Sequence, residues 1–380
     1  MTSFPSQRMQ GIEKTLIRQI NDRADDSCIN LGLGELAFPT PAAILDRLAD
    51  EVKSWPLGYT ANAGLPELRK LIAQRAGPGI AAEQVCVTIG AEEALFALIM
   101  ILVSPGDEVL VPDPGFPSYP TLVRMAGGKP ISYILPSSRN FALDVEEVGR
   151  RMTSKTRLLI LNSPSNPTGA VCSGEDLKSL AALCRRQGLT VLADEVYREI
   201  IYEGRAESLA QYFERTVVIN SLSKTYSMTG WRLGWCIGPP ELIRTVIIFN
   251  QLAISCPPTI CQRAAILALQ GVGDLERAAN LEELRRRRDR AAQCLERYAG
   301  LKCVRPRGTF YLYLNISSVL PPSRTSLDVA LDLIAKEKVV VIPGVAFGRA
   351  AENFLRLSFA ATAENIQEGI RRIGRFFGRG

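Results

Sequence analysis

Histidine is absent from this chain of 380 residues, and its absence removes several classes of enzyme at once. Ser-His-Asp and Cys-His hydrolysis, zinc or haem bound through histidine, and acid–base catalysis by imidazole are all excluded. Any proton transfer must therefore be carried out by Lys, Tyr, Asp, Glu or Cys.

The cysteines lack the spacing of a metal site or a disulfide framework. There are nine, an odd number, and none forms a C-x-x-C pair. The N-terminal stretch Met1–Gln10 is polar and has no apolar core of a signal peptide. These features predict a reducing compartment and a cytoplasmic protein.

Long hydrophobic runs are missing as well. The longest wholly apolar stretch, Ala94–Val103, has ten residues, whereas a helix needs about 20 to cross a bilayer. The content of 47% hydrophobic and 22% charged residues is typical of globular chains. No membrane association is therefore expected.

Positive charge is in mild excess, since 45 Lys and Arg against 39 Asp and Glu leave +6. Part of this excess lies in the run Arg285-Arg286-Arg287-Arg288-Asp289-Arg290. The run could contact nucleic acid or anionic lipid, or it could be the solvated face of a helix. Because neither interleaved aromatic residues nor a nucleic-acid-binding motif accompanies it, we favour the helix face and expect no nucleic-acid partner.

Short β-rich runs alternate with longer amphipathic ones between about residues 80 and 240. Strands that are apolar on both sides and separated by helices predict a largely parallel sheet covered by helices. Gly and Pro follow most of these strands, and ligands of such sheets bind at the carboxyl ends. The predicted strands are Val85–Thr88, Glu108–Val111, Leu158–Leu161, Thr190–Ala193 and Val217–Asn220.

The C-terminal part has a different pattern. A long charged helix, about Asp274–Tyr298, precedes a mixture of short β-rich and helical segments. We expect a smaller α+β domain completed by the N-terminal segment. The predicted division assigns residues 1–45 to the N-terminal part of the small domain, 46–284 to a large domain and 285–380 to the rest of the small domain.

A lysine in a serine-rich turn follows the last of the predicted strands, in Ser221-Leu-Ser-Lys-Thr-Tyr-Ser-Met-Thr-Gly-Trp-Arg-Leu-Gly234. Ser hydroxyls and Arg232 suit a phosphate, while Lys224 supplies an amine for a Schiff base with an aldehyde. Alternatively, Lys224 is an ordinary surface lysine and Arg232 belongs to an ion pair.

This stretch resembles the lysine signature of class I/II aminotransferases, which are fold-type I pyridoxal-phosphate enzymes, and the resemblance extends over nearly the whole chain. It implies an α/β fold with a mostly parallel seven-stranded sheet between helices, plus a smaller α+β domain. In that family the lysine matching Lys224 forms the Schiff base and moves the proton. The residues matching Ser221, Ser223 and Arg232 bind the phosphate.

Asp194-Glu-Val-Tyr197 ends another apolar strand, and a buried carboxylate there needs a partner. The resemblance implies that Asp194 pairs with the pyridinium nitrogen and that Tyr197 bonds the phenolic oxygen of the cofactor. Asn166, in the turn Asn162-Ser-Pro-Ser-Asn-Pro-Thr-Gly169, matches the Asn that contacts the same oxygen.

Other matches complete the expected cofactor site. Gly90-Ala91-Glu92 begins a helix directly after a strand, where free N–H groups favour a phosphate. Phe116 matches the aromatic residue that stacks on the cofactor ring. Tyr59 resembles the tyrosine that reaches the phosphate of the neighbouring subunit, so the resemblance implies a homodimer with shared active sites.

Substrate recognition needs a group for the α-carboxylate. Arg356, in Phe354-Leu-Arg-Leu-Ser358, matches the carboxylate-binding arginine of the family, assisted by Asn166 and the backbone near Gly34. Some bacterial aspartate aminotransferases carry Lys at the place of Glu92. This reversed charge predicts that aspartate is a poor amino donor, unless Glu92 only stabilises the first turn of its helix and faces solvent.

The resemblance favours transfer of an amino group from an L-amino acid to a 2-oxo acid. The same residues also support β-elimination, racemisation, decarboxylation or amine oxidation, so a C–S β-lyase or an amino-acid cyclase or oxidase is the alternative. A sensor domain of a transcription regulator is disfavoured because only about 30 residues precede Leu31-Gly-Leu-Gly34. A nucleotide-binding Rossmann protein is disfavoured because the G-x-G-x-x-G motif is absent.

Overall fold

The computed structural model describes residues 6–297 and 301–378. The helices are α1 (Leu16–Asn21), α2 (Ala42–Glu51), α3 (Pro66–Ala76), α4 (Gly90–Leu102), α5 (Ser118–Met125), α6 (Val145–Arg151), α7 (Gly174–Gln187), α8 (Pro240–Ala253), α9 (Thr259–Leu269), α10 (Asp274–Glu296), α11 (Ser326–Asp332) and α12 (Ala363–Phe376). The strands are β1 (Ile29–Asn30), β2 (Val85–Thr88), β3 (Glu108–Asp113), β4 (Lys129–Ile134), β5 (Thr156–Asn162), β6 (Thr190–Asp194), β7 (Thr216–Ser221), β8 (Gly234–Ile237), β9 (Lys302–Val304), β10 (Tyr311–Asn315), β11 (Val339–Val340), β12 (Ile342–Pro343) and β13 (Phe354–Ser358).

Seven strands form the central sheet, in the order β2-β8-β7-β6-β5-β3-β4. Neighbouring strands from β7 to β4 run parallel, whereas β8 is antiparallel to both β2 and β7. Helices cover the sheet and bury its strands on both faces, which is why β2, β6 and β7 read as nearly continuous apolar runs. The predicted α/β fold with a mostly parallel seven-stranded sheet is confirmed.

Local signals set the ends of the covering helices. In α7, the side chain of Ser173 accepts a hydrogen bond from the N–H of Asp176 while Asp176 bonds back to Ser173, and Gly188 ends the helix in a left-handed conformation. The same reciprocal cap, from Thr325 and Asp328, begins α11. These caps satisfy backbone groups that a helix end would otherwise leave without partners.

A second, four-stranded antiparallel sheet has the order β12-β13-β10-β9. The N-terminal strand β1 pairs in parallel with β11, which joins the start of the chain to its C-terminal part. Both expected domain junctions fall inside helices, α2 and α10, so the division at 45/46 and 284/285 stays a prediction. Tyr298, the expected last residue of the long charged helix, lies outside the described residues.

The arginine run predicted to be a solvated helix face lies on α10, and its members differ. Arg285 and Arg286 lie near Glu282 at the surface. Arg288 is buried, with its guanidinium 4.7 Å from the ring centre of Tyr202 and 3.2 Å from the Pro306 carbonyl. The run therefore serves partly to attach α10 to its neighbours.

Candidate active site

One cavity of about 280 Å³ lies at the carboxyl ends of the central strands. Strands β5 and β6 end beside each other at Asn162 and Asp194, and β7 ends at Ser221 opposite Gly234 of β8. The chain that connects β7 to β8 must therefore leave from this same edge of the sheet. It carries Lys224 and Arg232, which places an amine and a guanidinium beside the Asp194 carboxylate.

The cavity collects most of the residues singled out in the sequence. Its lining includes Gly34, Ala91, Glu92, Phe116, Asn166, Asp194, Tyr197, Ser221, Ser223, Lys224, Arg232 and Arg356. Gly90 and Tyr59 are not among the lining residues. Gly90 begins α4 directly behind the cavity, whereas Tyr59 is 93% exposed on the outer surface.

Lys224 lines the cavity and is held there by the N-terminal segment. Its Nζ donates a hydrogen bond of 2.7 Å to the carbonyl of Gly34, which belongs to the N-terminal segment. Burial lowers the pKa of the Lys224 amine to about 8, and nearby arginines act in the same direction. A substantial part of the amine is therefore neutral, and thus nucleophilic, slightly above neutral pH.

Asp194 lines the cavity and is only 5% exposed. Its carboxylate accepts a hydrogen bond of 2.6 Å from the Tyr119 hydroxyl and one of 3.3 Å from the Val196 N–H. Burial raises the pKa of Asp194 to about 6, although the Tyr119 hydrogen bond opposes the rise. The group is thus mostly ionised at neutral pH and suits a cationic partner.

The amino end of α4 forms a cradle for an anion. Gly90 has φ of 75°, and a Cβ there would lie 2.6 Å from a terminal nitrogen of Arg232. The missing side chain lets this guanidinium approach the first turn of the helix, whose N–H groups have no partners within the helix. Ser221 and Ser223 line the same cavity. This donor set fits a phosphate.

A chain of hydrogen bonds connects Asp194 with Arg356. Asn162 Nδ2 donates to the Asp194 carbonyl at 3.0 Å, and the Asn166 N–H donates to Asn162 Oδ1 at 2.7 Å. Arg356 Nη1 then donates to Asn166 Oδ1 at 2.9 Å. The two ends of the cavity are therefore fixed relative to each other through polar contacts.

Arg356 is 1% exposed and incompletely paired. Besides Asn166, it donates to the Gly32 carbonyl at 2.6 Å, whereas its Nε has no partner in the described structure. Burial lowers the pKa of the guanidinium. The Tyr311 ring centre lies 4.2 Å away, and the Tyr311 hydroxyl is 3.0 Å from that of Tyr197. A buried arginine with an unpartnered N–H suits a carboxylate ligand.

The sequence reasoning missed several residues of the lining, namely Ile17, Leu95, Tyr119, Asn162, Val196 and Tyr311. Asn162 could have been found, because it directly follows a predicted strand as Asp194 does. Tyr119 lies one helical turn after Phe116, which is a weaker signal. Ile17 and Tyr311 come from distant segments, and nothing in their local sequence distinguishes them from core residues.

The described residues of this structure fit pyridoxal phosphate. The cavity offers a phosphate cradle at α4, an ionised carboxylate in its lining, an amine with a lowered pKa and apolar walls from Phe116 and Val196. These groups match the phosphate, the ring nitrogen, the aldehyde and the faces of that cofactor in turn.

Comparison with known proteins agrees with this chemistry. Residues 26–373 match the model of the family "Aminotransferase class I and II". A probable aspartate aminotransferase of Methanocaldococcus jannaschii is 37% identical over 98% of this chain and 99% of its own length. An aromatic-amino-acid aminotransferase of Thermococcus litoralis is 34% identical over 97% of each chain.

A solved structure supports the same relationship. The aspartate aminotransferase of Thermus thermophilus with maleate superposes with a TM-score of 0.93 at 33% identity, covering 98% of this chain and 100% of the other.

Proposed function

Because the chain belongs to the class I and II aminotransferases and so moves an amino group from an amino acid to a 2-oxo acid, we propose that it does so with pyridoxal phosphate bound covalently to Lys224. The observation that carries this proposal is the placement of the Lys224 amine, with its lowered pKa, in one cavity with Asp194 and Arg356. When bound, this cofactor supplies an aldehyde for amines and a ring that withdraws electrons from the carbon bearing the amino group.

Each side chain then has a distinct task. Ser221, Ser223, Arg232 and the first N–H groups of α4, from Gly90 to Glu92, hold the phosphate. Asp194 keeps a proton on the ring nitrogen, because its negative charge stabilises the protonated form. Phe116 and Val196 cover the ring.

Arg356 and Asn166 orient the substrate through its α-carboxylate, with Arg356 Nε free to donate. Tyr197 holds the phenolic oxygen and is itself positioned by Tyr311.

Lys224 Nζ moves the proton. With the cofactor bound, the Lys224 amine would be the base placed to remove the proton from the substrate α-carbon. The same nitrogen would carry this proton between substrate and cofactor, so proton transfer would require no histidine. The neutral amine needed for this task is favoured by the low pKa.

Borohydride reduction and peptide mapping test the assignment. Reduction of the purified enzyme should leave the mass of the reduced cofactor on the peptide containing Lys224. Lys224→Ala should lose this label and lower kcat by several orders of magnitude, while Lys178→Ala, which removes an amine whose Nζ lies 5.5 Å from the Tyr212 ring centre, should retain both. A label on another lysine would contradict the assignment.

We further propose that the enzyme is a homodimer in which Tyr59 serves the phosphate of the partner. Tyr59 is 93% exposed, and the described chain also exposes large apolar side chains at Leu57 (53%), Ile248 (58%) and Leu252 (83%). The Tyr59 loop is attached to the start of α9, since Thr259 Oγ1 donates to the Gly58 carbonyl at 2.6 Å. Water does not favour such a surface, whereas a second copy would bury it.

Mixed dimers test the shared site. When Tyr59→Ala and Lys224→Ala chains exchange subunits, hybrid dimers contain one site with both native residues. Activity should therefore recover in the mixture, and sedimentation should give the mass of a dimer. An active monomer, or no recovery in mixtures with proven exchange, would contradict the proposal.

We also propose that the protein is located in the cytoplasm. All nine cysteines are free, which supports a reducing cytoplasm. In residues 6–297 and 301–378, no helix is both long enough and apolar enough to cross a membrane.

A further inference from the structure

The cationic groups of the cavity are all accounted for by the proposed reaction. In the part of the chain that the structure describes, the cationic side chains lining it are Lys224, Arg232 and Arg356. Lys224 provides the reacting amine, Arg232 lies against the phosphate cradle and Arg356 binds the α-carboxylate. The described lining therefore offers no further cation to a second carboxylate on the substrate.

Glu92 adds a negative charge to the same space. It lies in the first turn of α4 and lines the cavity, although its side chain stays accessible to solvent. Enough protein surrounds its carboxyl group that desolvation raises its pKa, while a hydrogen bond with Ser118 and the charges of Arg232 and Lys224 oppose the rise. Glu92 is therefore an exposed residue of the first helical turn that also lines the cavity.

Glu92 shares the cavity wall with apolar side chains as well as with Arg232 and Lys224, the two cations already assigned to the phosphate and to the reacting amine. Leu95 follows it by one helical turn and lines the cavity, and Ile17 contributes another apolar side chain from α1. Neither residue can stabilise a carboxylate. Because both cations near Glu92 are already occupied by the phosphate and the cofactor, a substrate side chain in this space meets hydrocarbon and a carboxyl group.

We propose that Glu92 makes this enzyme selective for amino acids whose side chains carry no carboxylate, whether uncharged or cationic, and against dicarboxylic substrates. The inference rests on the proposed function, since it assumes that Arg356 takes the α-carboxylate. A dicarboxylate would leave its second charge unpaired, or repelled by Glu92, in a partly desolvated site. The preferred amino donor would thus differ from aspartate, which the names of several relatives give as their substrate.

Binding of substrate analogues tests this selectivity without turnover. Maleate, with two carboxylates, and 3-phenylpropionate, with one, would be titrated into the cofactor-loaded enzyme while the absorbance of the cofactor is recorded. The wild type should bind 3-phenylpropionate at least about tenfold more tightly than maleate. Glu92→Lys should change the ratio of the two Kd values by at least about tenfold in favour of maleate, and Glu92→Gln by a smaller factor in the same direction.

A matched control separates local from overall charge. Glu83→Lys changes the net charge equally but at an exposed position outside the cavity lining, so it should leave the ratio unchanged. Tighter binding of maleate by the wild type, or an unchanged ratio in both Glu92 variants, would overturn the proposal. If Glu92→Lys fails to hold cofactor, the Glu92→Gln result decides.

The same samples distinguish this failure from failure of the proposed function. If borohydride labels Lys224 but the enzyme binds maleate more tightly than 3-phenylpropionate, only the proposed selectivity is overturned. Absence of that label would overturn the proposed function, and the selectivity with it.

Discussion

The hydrogen bond from Tyr119 to Asp194 provides the sharpest quantitative test of how the site works. The Tyr119 hydroxyl lies 2.6 Å from Asp194 Oδ2, and the only other donor to this carboxylate given by the described structure is the Val196 N–H at 3.3 Å. Tyr119→Phe removes the shorter bond and leaves the ring in place. A hydrogen bond to a charged group contributes about 1.5–3 kcal/mol, so its loss disfavours ionised Asp194 by about that amount.

The pKa of Asp194 is already raised to about 6, because burial outweighs the Tyr119 hydrogen bond. Since one pKa unit corresponds to about 1.4 kcal/mol, the variant should raise the pKa by about 1–2 units more. At pH 7 about half to nine-tenths of the carboxyl group would then be protonated and would lose its attraction for the protonated ring nitrogen. The Kd for pyridoxal phosphate at this pH should therefore increase by about two- to tenfold.

Fluorescence titration of the cofactor-free protein between pH 5.5 and 8.5 measures this effect. Binding should weaken at pH 7, and the rise in affinity that accompanies ionisation of Asp194 should move to higher pH. Tyr133→Phe is the matched control, because it removes a buried hydroxyl that donates to the Ile160 carbonyl at 2.9 Å outside this cavity. Equal Kd values and equal pH profiles in Tyr119→Phe and wild type would refute the reasoning.

Three further outcomes follow from the same geometry. Arg356→Lys loses the planar fork and should lower kcat/KM for the amino donor by about 100-fold, mainly through KM, with the cofactor Kd unchanged; an effect confined to kcat would contradict a substrate-binding role. Burial lowers the pKa of Lys224 to about 8, so the rate at which cofactor-free protein recombines with the cofactor should increase as pH rises through about 8; a midpoint near that of free lysine would contradict this. Burial raises the pKa of Glu93 to about 7, and its Oε1 has no partner in the described structure, so ionisation destabilises the fold increasingly as pH rises from about 4.5 to about 7. At pH 8, Glu93→Gln should therefore have a free energy of unfolding up to about 3 kcal/mol higher than wild type, measured by urea unfolding, whereas at pH 4.5 the two should be equal. A gain in stability that is independent of pH would point to another cause.

The sheet could be predicted from the sequence where its strands are buried on both faces. Val85–Thr88 is predicted and observed with the same bounds, because all four residues are buried and read as a short apolar run, although the strand lies at the sheet edge and pairs antiparallel with β8. Strand β4 escaped prediction because only Tyr133 of its six residues is buried, and the exposed residues Lys129 and Ser132 interrupt the apolar run. Strand β8 escaped because its four residues follow the lysine turn directly and reverse direction, which no local pattern indicates.

The site was predictable to the extent that its residues occupy strand ends and turns. Asp194, Ser221 and Lys224 follow apolar runs, and the topology then brings them together. Tyr311 could not be found in this way, because it alternates with Leu312 on β10 like any buried strand residue. Its role depends on Gly34, where a Cβ would lie 2.7 Å from the Tyr311 hydroxyl, and this contact exists only in the folded chain.

The contacts made by Gly32 and Gly34 also determine when the site comes into existence. Gly34 receives the hydrogen bond of Lys224, 190 positions later, and Gly32 receives that of Arg356, 324 positions later. A nascent chain on the ribosome has no complete pocket until β13 has emerged and the first strands have docked. If pyridoxal phosphate binds as proposed, it should stabilise the finished fold most by mass action, and a fragment lacking either end would lose the contacts of Lys224 with Gly34 and of Arg356 with Gly32 and with them part of that stabilisation.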